Sequence, residues 1–343
     1  MRSTDKNRSY KKMDFTGTGQ VYRFTLQQQF NSKANKIVFA CLIFLAAAMI
    51  PVMSLFFGGS DLLGGGMYTL QSSVSTVEEY LNGGQISYGT KYGIQYAYSI
   101  VTMIICVFSV TYIVRAIVEE KSSKLVETLM VSVKPLALIF GKILAVMTYM
   151  FAMLLSLLAA FGLSYVISGQ FLDVSFVGDM LASFGITSDL LHIGVGTGVI
   201  ILVSILLAYL TFALLAGLTG AGCSNTDEVE GANSAAMMMI LVGYLASSFT
   251  IGIGGNATVA LAICPIISAF SAPAYFIFGE IGFGVILASW AVQIIVIMLI
   301  LLLTARVYDQ LIMYRGSRLK MKQIIALGFS GKTKRKETVK EEN

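Results

Sequence analysis

An all-α integral membrane fold with six transmembrane helices is what this sequence predicts, on three observations. Only 13% of the 343 residues are Asp, Glu, Lys or Arg, where a soluble globular chain carries ~25%. Mean hydropathy is +0.77, and the apolar residues run in long uncharged blocks, not in the period-2 or period-3.6 stripes of soluble elements. All of the 24 Lys and Arg except Lys91 fall in three segments that flank those blocks. Such blocks exclude a soluble enzyme, a disordered tail and a nucleic-acid-binding module.

A helix needs ~20 apolar residues to cross ~30 Å of hydrocarbon. Spans are predicted at about 37–57, 94–117, 143–167, 193–218, 235–253 and 281–304. The cations precede Ile37, lie between Arg115 and Lys142, or follow Arg306. The positive-inside bias therefore places both termini in the cytoplasm and requires an even number of crossings. Residues 1–36 read as a basic cytoplasmic leader, 37–305 as the transmembrane domain and 306–343 as a basic cytoplasmic tail. Composition predicts disorder from Lys332 onward. External loops are expected over about Gly58–Lys91 and Ser168–His192.

The uncharged run Gly231–Gly279 could hold two spans, but seven crossings would put the basic tail outside. Pro265, Pro273, Gly252, Gly254 and Gly255 also interrupt any second long helix. The reading is one span followed by an external re-entrant hairpin over about Ala257–Phe278; an apolar external loop with short interfacial helices is the alternative.

Two cytoplasmic segments could carry work. In Val21–Lys36, Tyr22, Leu26 and Phe30 recur every four residues beside Arg23, Gln27, Gln28 and Lys33. That pattern predicts an amphipathic helix lying in the membrane interface, with a frayed basic leader as the alternative. In Glu119–Met130, helical spacing pairs Glu120 with Lys124 and stacks Leu125 on Leu129. Ser122 or Ser123 could cap that helix and Pro135 end it. A plain solvated turn fits the residues equally well.

The run Glu119–Ala145, EEKSSKLVETLMVSVKPLALIFGKILA, resembles the signature loop of type-2 ABC exporter permeases, in particular the NatB-like branch. Ala305–Tyr308, Leu311–Gly316 and Leu319-Lys320 after the last span are similar to that branch too. So are the turn Gly220–Ala235, with Asp227, Glu228 and Asn233, and the stretch Pro265–Pro273. The resemblance implies an interfacial N-terminal helix, and a coupling helix that docks on a separate P-loop ATPase subunit. Glu119, Glu120, Lys121, Lys124, Leu125, Glu127 and Leu129 would lie at that contact. It also implies an external gate over Ile253–Phe278 containing Pro265 and Pro273. The permease would pair with a second copy or a homologous permease, export its substrate and reside in a bacterial cell membrane. One departure is that Gly58–Lys91 is short where NatB-like permeases commonly carry a larger external domain, which argues against sodium as the substrate. Apolar span interiors fit a lipid, a peptide or an amphipathic drug better.

No cofactor, metal or catalytic group is expected on this chain. Ala326–Thr333 (ALGFSGKT) lacks the leading glycine of a phosphate-binding loop, so ATP and Mg would belong to the partner. Cys41, Cys106, Cys223 and Cys264 form no CxxC pair. A glutamic intramembrane protease would need histidines beside Glu119-Glu120, and the single His192 is expected on the opposite side. A self-contained secondary transporter or channel is the principal alternative. Such carriers usually place ionisable groups at mid-membrane, whereas Arg115 and Lys142 are expected at span ends. Gly194–Gly198 and the series Ala213, Gly217, Ala221 permit close helix approach, either within the chain or across a dimer seam.

Overall fold

The computed structural model describes residues 17–57, 88–122, 135–172, 174–178, 195–251, 253, 255–312, 319 and 321–330. Among the described residues the chain is all-helical. Its main helices are α1 (Thr18–Asn31), α2 (Lys33–Phe57), α3 (Tyr88–Ser122), α4 (Pro135–Ser168) and α5 (Val195–Ala221). They continue with α6 (Val229–Phe249), α7 (Gly255–Ile263), α8 (Pro265–Ile277), α9 (Phe283–Ile312) and α10 (Met321–Ser330). Six stretches are long and apolar enough to cross a membrane: Lys33–Ser54, Lys91–Ser122, Ala137–Ser168, Gly196–Ala221, Thr226–Phe249 and Phe283–Thr304.

The bundle is built around α3 and α5. Helix α6 packs on α3, α9 on α5, and α4 touches both central helices while carrying α1 and α2 on its outer side. Lipid tails are as apolar as leucine, so small residues that let backbones approach decide such packing. The Ala213–Gly217–Ala221 stripe does this inside the chain: a Cβ on Gly217 would stand 2.5 Å from Ile139 Cδ1. Beside that stripe, a Cβ on Gly220 would stand 3.2 Å from Val114 Cα. The similar glycines at the start of α5 behave differently, since Gly196 and Gly198 face open space. Helix α2 is peripheral, with Phe44 and Leu45 exposed on a wholly apolar face.

All four prolines have a structural explanation. Pro135 and Pro265 open α4 and α8, where the first N–H groups have no intrahelical partner anyway. Pro51 and Pro273 lie inside α2 and α8, and each deprives the carbonyl four residues earlier of its donor. In both cases a hydroxyl from a neighbouring helix replaces it. Ser164 Oγ donates to Ala47 O at 2.6 Å, and Tyr98 Oη donates to Ala269 O at 3.0 Å. Pro135 begins α4; the coupling helix it was expected to end lies for the most part outside the described residues.

The expected N-terminal helix exists, but its inward face differs. Val21, Thr25 and Gln29 are the buried residues of α1, whereas Phe30 is exposed and Tyr22 and Leu26 half-buried. The reason is a contact the pattern could not show: α1 lies against α4 at Gly141, where a Cβ would come within 2.8 Å of Val21 Cβ. Tyr22 Oη donates to Thr148 Oγ1 at 3.2 Å, and the Phe30 ring meets Tyr149 edge-on at 5.2 Å. The chain turns at Ser32, and Asn35 Nδ2 fastens the corner by donating to Gln29 Oε1 at 2.6 Å.

Between α6 and α9 the chain makes the short pair α7–α8. At ~1.5 Å per residue, 9 and 13 residues give helices too short to cross ~30 Å. The pair enters and leaves at one end of the bundle yet reaches well into it. Ser268, just past the Cys264 turn, accepts from Gln293 Nε2 at 3.0 Å, about three turns into α9. Phe270 packs 5.9 Å from Phe212 of α5, and a Cβ on Gly243 would press on its ring at 2.8 Å.

Candidate functional site

The chemistry-bearing side chains gather at the two ends of α3. With 35 residues that helix is ~50 Å long, so its ends project past ~30 Å of hydrocarbon and can carry charge.

At the C-terminal end, Lys121 Nζ donates to Ala221 O and to Leu311 O, each at 2.8 Å. Ala221 closes α5, and Leu311 lies one residue before the end of α9. The last carbonyls of a helix lack intrahelical donors, and the helix dipole favours a cation there. One ammonium therefore joins three helix C-termini, which shows that α3, α5 and α9 run in the same direction. One residue earlier, Glu120 Oε2 lies 2.7 Å from Lys142 Nζ, and Lys142 also donates to Ala116 O at 3.2 Å. Their side chains are 2% and 0% exposed. This junction extends outward. Leu319 N–H donates to Gly222 O at 3.2 Å, Ser224 N–H to Glu228 Oε2 at 2.8 Å, and Ile324 of α10 approaches Gly222. Helices α1 and α10 thus both lie at this end of the bundle.

At the opposite end, Lys91 Nζ lies 2.9 Å from Glu280 Oε1. Glu280 is aimed by the way α8 ends. Gly279 takes φ +75°, Glu280 N–H donates to Tyr275 O, and Gly279 N–H donates to Phe276 O, both at 3.0 Å. That is a Schellman stop, which glycine permits at no steric cost. Two turns along α3 the contacts become neutral and polar. Gln95 Nε2 and Ser99 Oγ both donate to Phe270 O, at 2.7 and 2.8 Å, beside the Tyr98–Ala269 bond. Thr250 Oγ1 and Tyr275 Oη are 2.6 Å apart. The α7–α8 pair is therefore held by hydroxyl and amide groups seated on proline-distorted backbone.

The structure distributes the sequence-expected residues unevenly. Glu119 is half-buried on α3 and paired with Arg115 at 2.8 Å. Glu120 and Lys121 are not on a separate coupling helix: α3 runs unbroken through Ser122, and both side chains turn inward. Glu120 pairs with Lys142 of α4, a partner that spacing along one helix does not offer; the expected pairing with Lys124 involves a residue outside the described ones. Lys124, Leu125, Glu127, Leu129 and His192 lie outside the described residues, as do 58–87 and the tail from 331. Pro265 and Pro273 stand in the α7–α8 pair, at the N-terminus and within α8. Lys142, expected at a span end, lies two turns into α4 with no exposure.

Sequence reasoning missed Lys142, the Lys91–Glu280 pair and Tyr98. A signal existed for Tyr98: Gln95, Ser99 and Thr102 recur at helical spacing inside an otherwise apolar run. No group of three or more His, Cys, Asp or Glu stands together among the described residues.

Six apolar helices, charged only at their ends or in compensated pairs, define a multi-pass membrane protein. Over residues 67–306 the sequence matches the family described as ABC-2 family transporter protein, and the chain belongs to that family. It is thus a membrane component of an ABC-2 type transport system, with no catalysis of its own. No curated protein and no solved structure matches it.

Proposed function

We propose that this chain is the permease subunit of an ATP-driven exporter, close to the NatB-like branch, and that a separate P-loop ATPase subunit supplies the energy. Two six-helix halves would face each other, from two copies or from a homologous pair. The end bearing Lys121 and Lys142 faces the cytoplasm in this reading, because the cations of the leader, the 115–142 segment and the tail all belong to it. The proteins would sit in a bacterial cell membrane. The α7–α8 pair then dips in from outside as the gate, since irregular backbone at that depth must be buried in protein or line a cavity.

The observation that carries the reading is the joint between α3 and α4. Residues 123–134 connect two helices that Glu120 and Lys142 tie together, so force applied to that connection would enter the bundle directly. ATP would close two partner ATPases, the connection between α3 and α4 would move with them, and α3 and α6 would shift to open a route between the halves. Glu119, half-buried near the end of α3, and Glu127 in the connecting sequence are the acidic groups a partner could grip.

Tagged full-length chain, extracted in mild detergent, should retain a P-loop ATPase. Replacing Glu119 and Glu127 together with Ala should weaken that retention at least tenfold while leaving membrane insertion intact. A chain that purifies with no ATPase, and that passes solutes through liposomes without ATP, would be a carrier or channel and would overturn the proposal.

A further inference from the structure

The strongest unexplained feature is that Lys121 is spent on helices other than its own. A lysine near a helix C-terminus ordinarily faces the last carbonyls of that helix or solvent. Here the ammonium reaches across to Ala221 O of α5 and Leu311 O of α9, at 2.8 Å each, and only 9% of the residue is exposed. Helices α3 and α9 make little other contact with each other, because α5 stands between them. Lys121 is therefore a direct strut from α3 to α9, placed one residue before α3 ends at Ser122. Glu120, its neighbour, fixes the same turn to α4 through Lys142. Four helices thus meet at two consecutive side chains.

We infer that Lys121 is a positioning residue for transport: its two carbonyl contacts carry displacement of the C-terminal end of α3 to α5 and α9. Without them the displacement reaches α9 only indirectly, through the side-chain packing of α5 on its two neighbours. Helix α9 begins three residues after Glu280, at the foot of the α7–α8 pair. A push delivered at Leu311 arrives along one continuous helix at the far end of the bundle, where that pair is anchored. The inference rests on the permease reading, and adds to it the side chain by which the two ends communicate.

The test uses the full chain with its ATPase partner in nanodiscs, in a background where the four native cysteines are replaced by Ser. Phe283→Cys, at the exposed start of α9, is labelled with a maleimide, with and without ATP plus vanadate. With Lys121 intact, trapping should change the labelling rate at least fivefold. In Lys121→Met, ATPase retention and ATP hydrolysis should stay within twofold of the parent, while the nucleotide-dependent change in labelling is lost. Lys121→Arg, which keeps two donors, should restore it. If Lys121→Met fails to accumulate, Lys121→Gln is read in the same way, since its shorter amide cannot span both carbonyls. An undiminished labelling response in these variants, with the ATPase bound, overturns the strut and leaves the permease reading standing. No ATPase bound to the parent, or no response to nucleotide in it, overturns the permease reading itself.

Discussion

The two ends of α3 hold ion pairs of nearly equal length and unlike character. Glu120–Lys142 measures 2.7 Å with side chains 2% and 0% exposed, and Lys91–Glu280 measures 2.9 Å with side chains 23% and 18% exposed. Distance is almost the same, so environment decides what each can do. A charge deprived of its partner in a dry interior cannot recruit water, whereas a half-exposed one can. The first pair is therefore a permanent joint between α3 and α4. The second, within reach of solvent at the foot of the α7–α8 pair, is the weaker tie, a latch by comparison with that joint.

The largest effect that could break this contrast comes from stranding one buried charge. Lys142→Met should destabilise the folded chain by ~3–5 kcal/mol, with Glu120→Leu in the same chain recovering most of the loss. Thermal unfolding in detergent, arranged as a double-mutant cycle, measures both. A Lys142→Met chain as stable as the parent would show that water reaches the joint.

Next comes the neutral contact between the ends. Tyr98→Phe should cost ~1–3 kcal/mol, because Ala269 O then has no donor. In a Pro273→Ala background, where α8 regains the N–H that serves this carbonyl, the same change should cost well under half as much. Equal costs in the two backgrounds would mean that the phenol does not answer the proline.

Opening the latch should be gentler on stability. Lys91→Met or Glu280→Gln should cost at most ~1 kcal/mol, yet should speed maleimide labelling at Phe283→Cys severalfold as the foot of the hairpin loosens. A loss of stability comparable to that of Lys142→Met would erase the distinction between joint and latch. Smallest of all, Arg115→Ala removes an exposed i,i+4 pair with Glu119, 60% and 43% exposed. Its expected cost is ~0.3–0.5 kcal/mol, and it should fade in high salt.

Much of this architecture was legible in the residues. Uncharged runs announced six long helices, and Pro265, Pro273 and the glycines around 252–255 announced that the stretch after α6 would break into short pieces. Glu119–Lys121 were marked as consequential, but the direction they face was not. Spacing along one helix offers Glu120 the residue at i+4, Lys124, and says nothing of Lys142, which becomes a neighbour only when α4 folds back against α3. The N-terminal helix misled in the same way. Its most apolar stripe, Tyr22–Leu26–Phe30, was readable, but the gap that Gly141 leaves for Val21 belongs to another helix. Small-residue spacing was equally ambiguous: Gly217 is packed against Ile139, while Gly196 and Gly198 meet nothing in the chain.

The residues alone were enough to give the number of membrane-length helices and to show that the cations flank them. Those outcomes follow from the cost of placing charge and unpaired backbone in hydrocarbon, a cost each segment incurs alone. The folded bundle alone shows that Lys142 comes to Glu120, that Lys121 reaches past its own helix, and that Tyr98 serves the carbonyl that Pro273 leaves bare. Each of those is a contact between residues at least twenty apart, and no periodicity within one helix records what another helix will bring beside it.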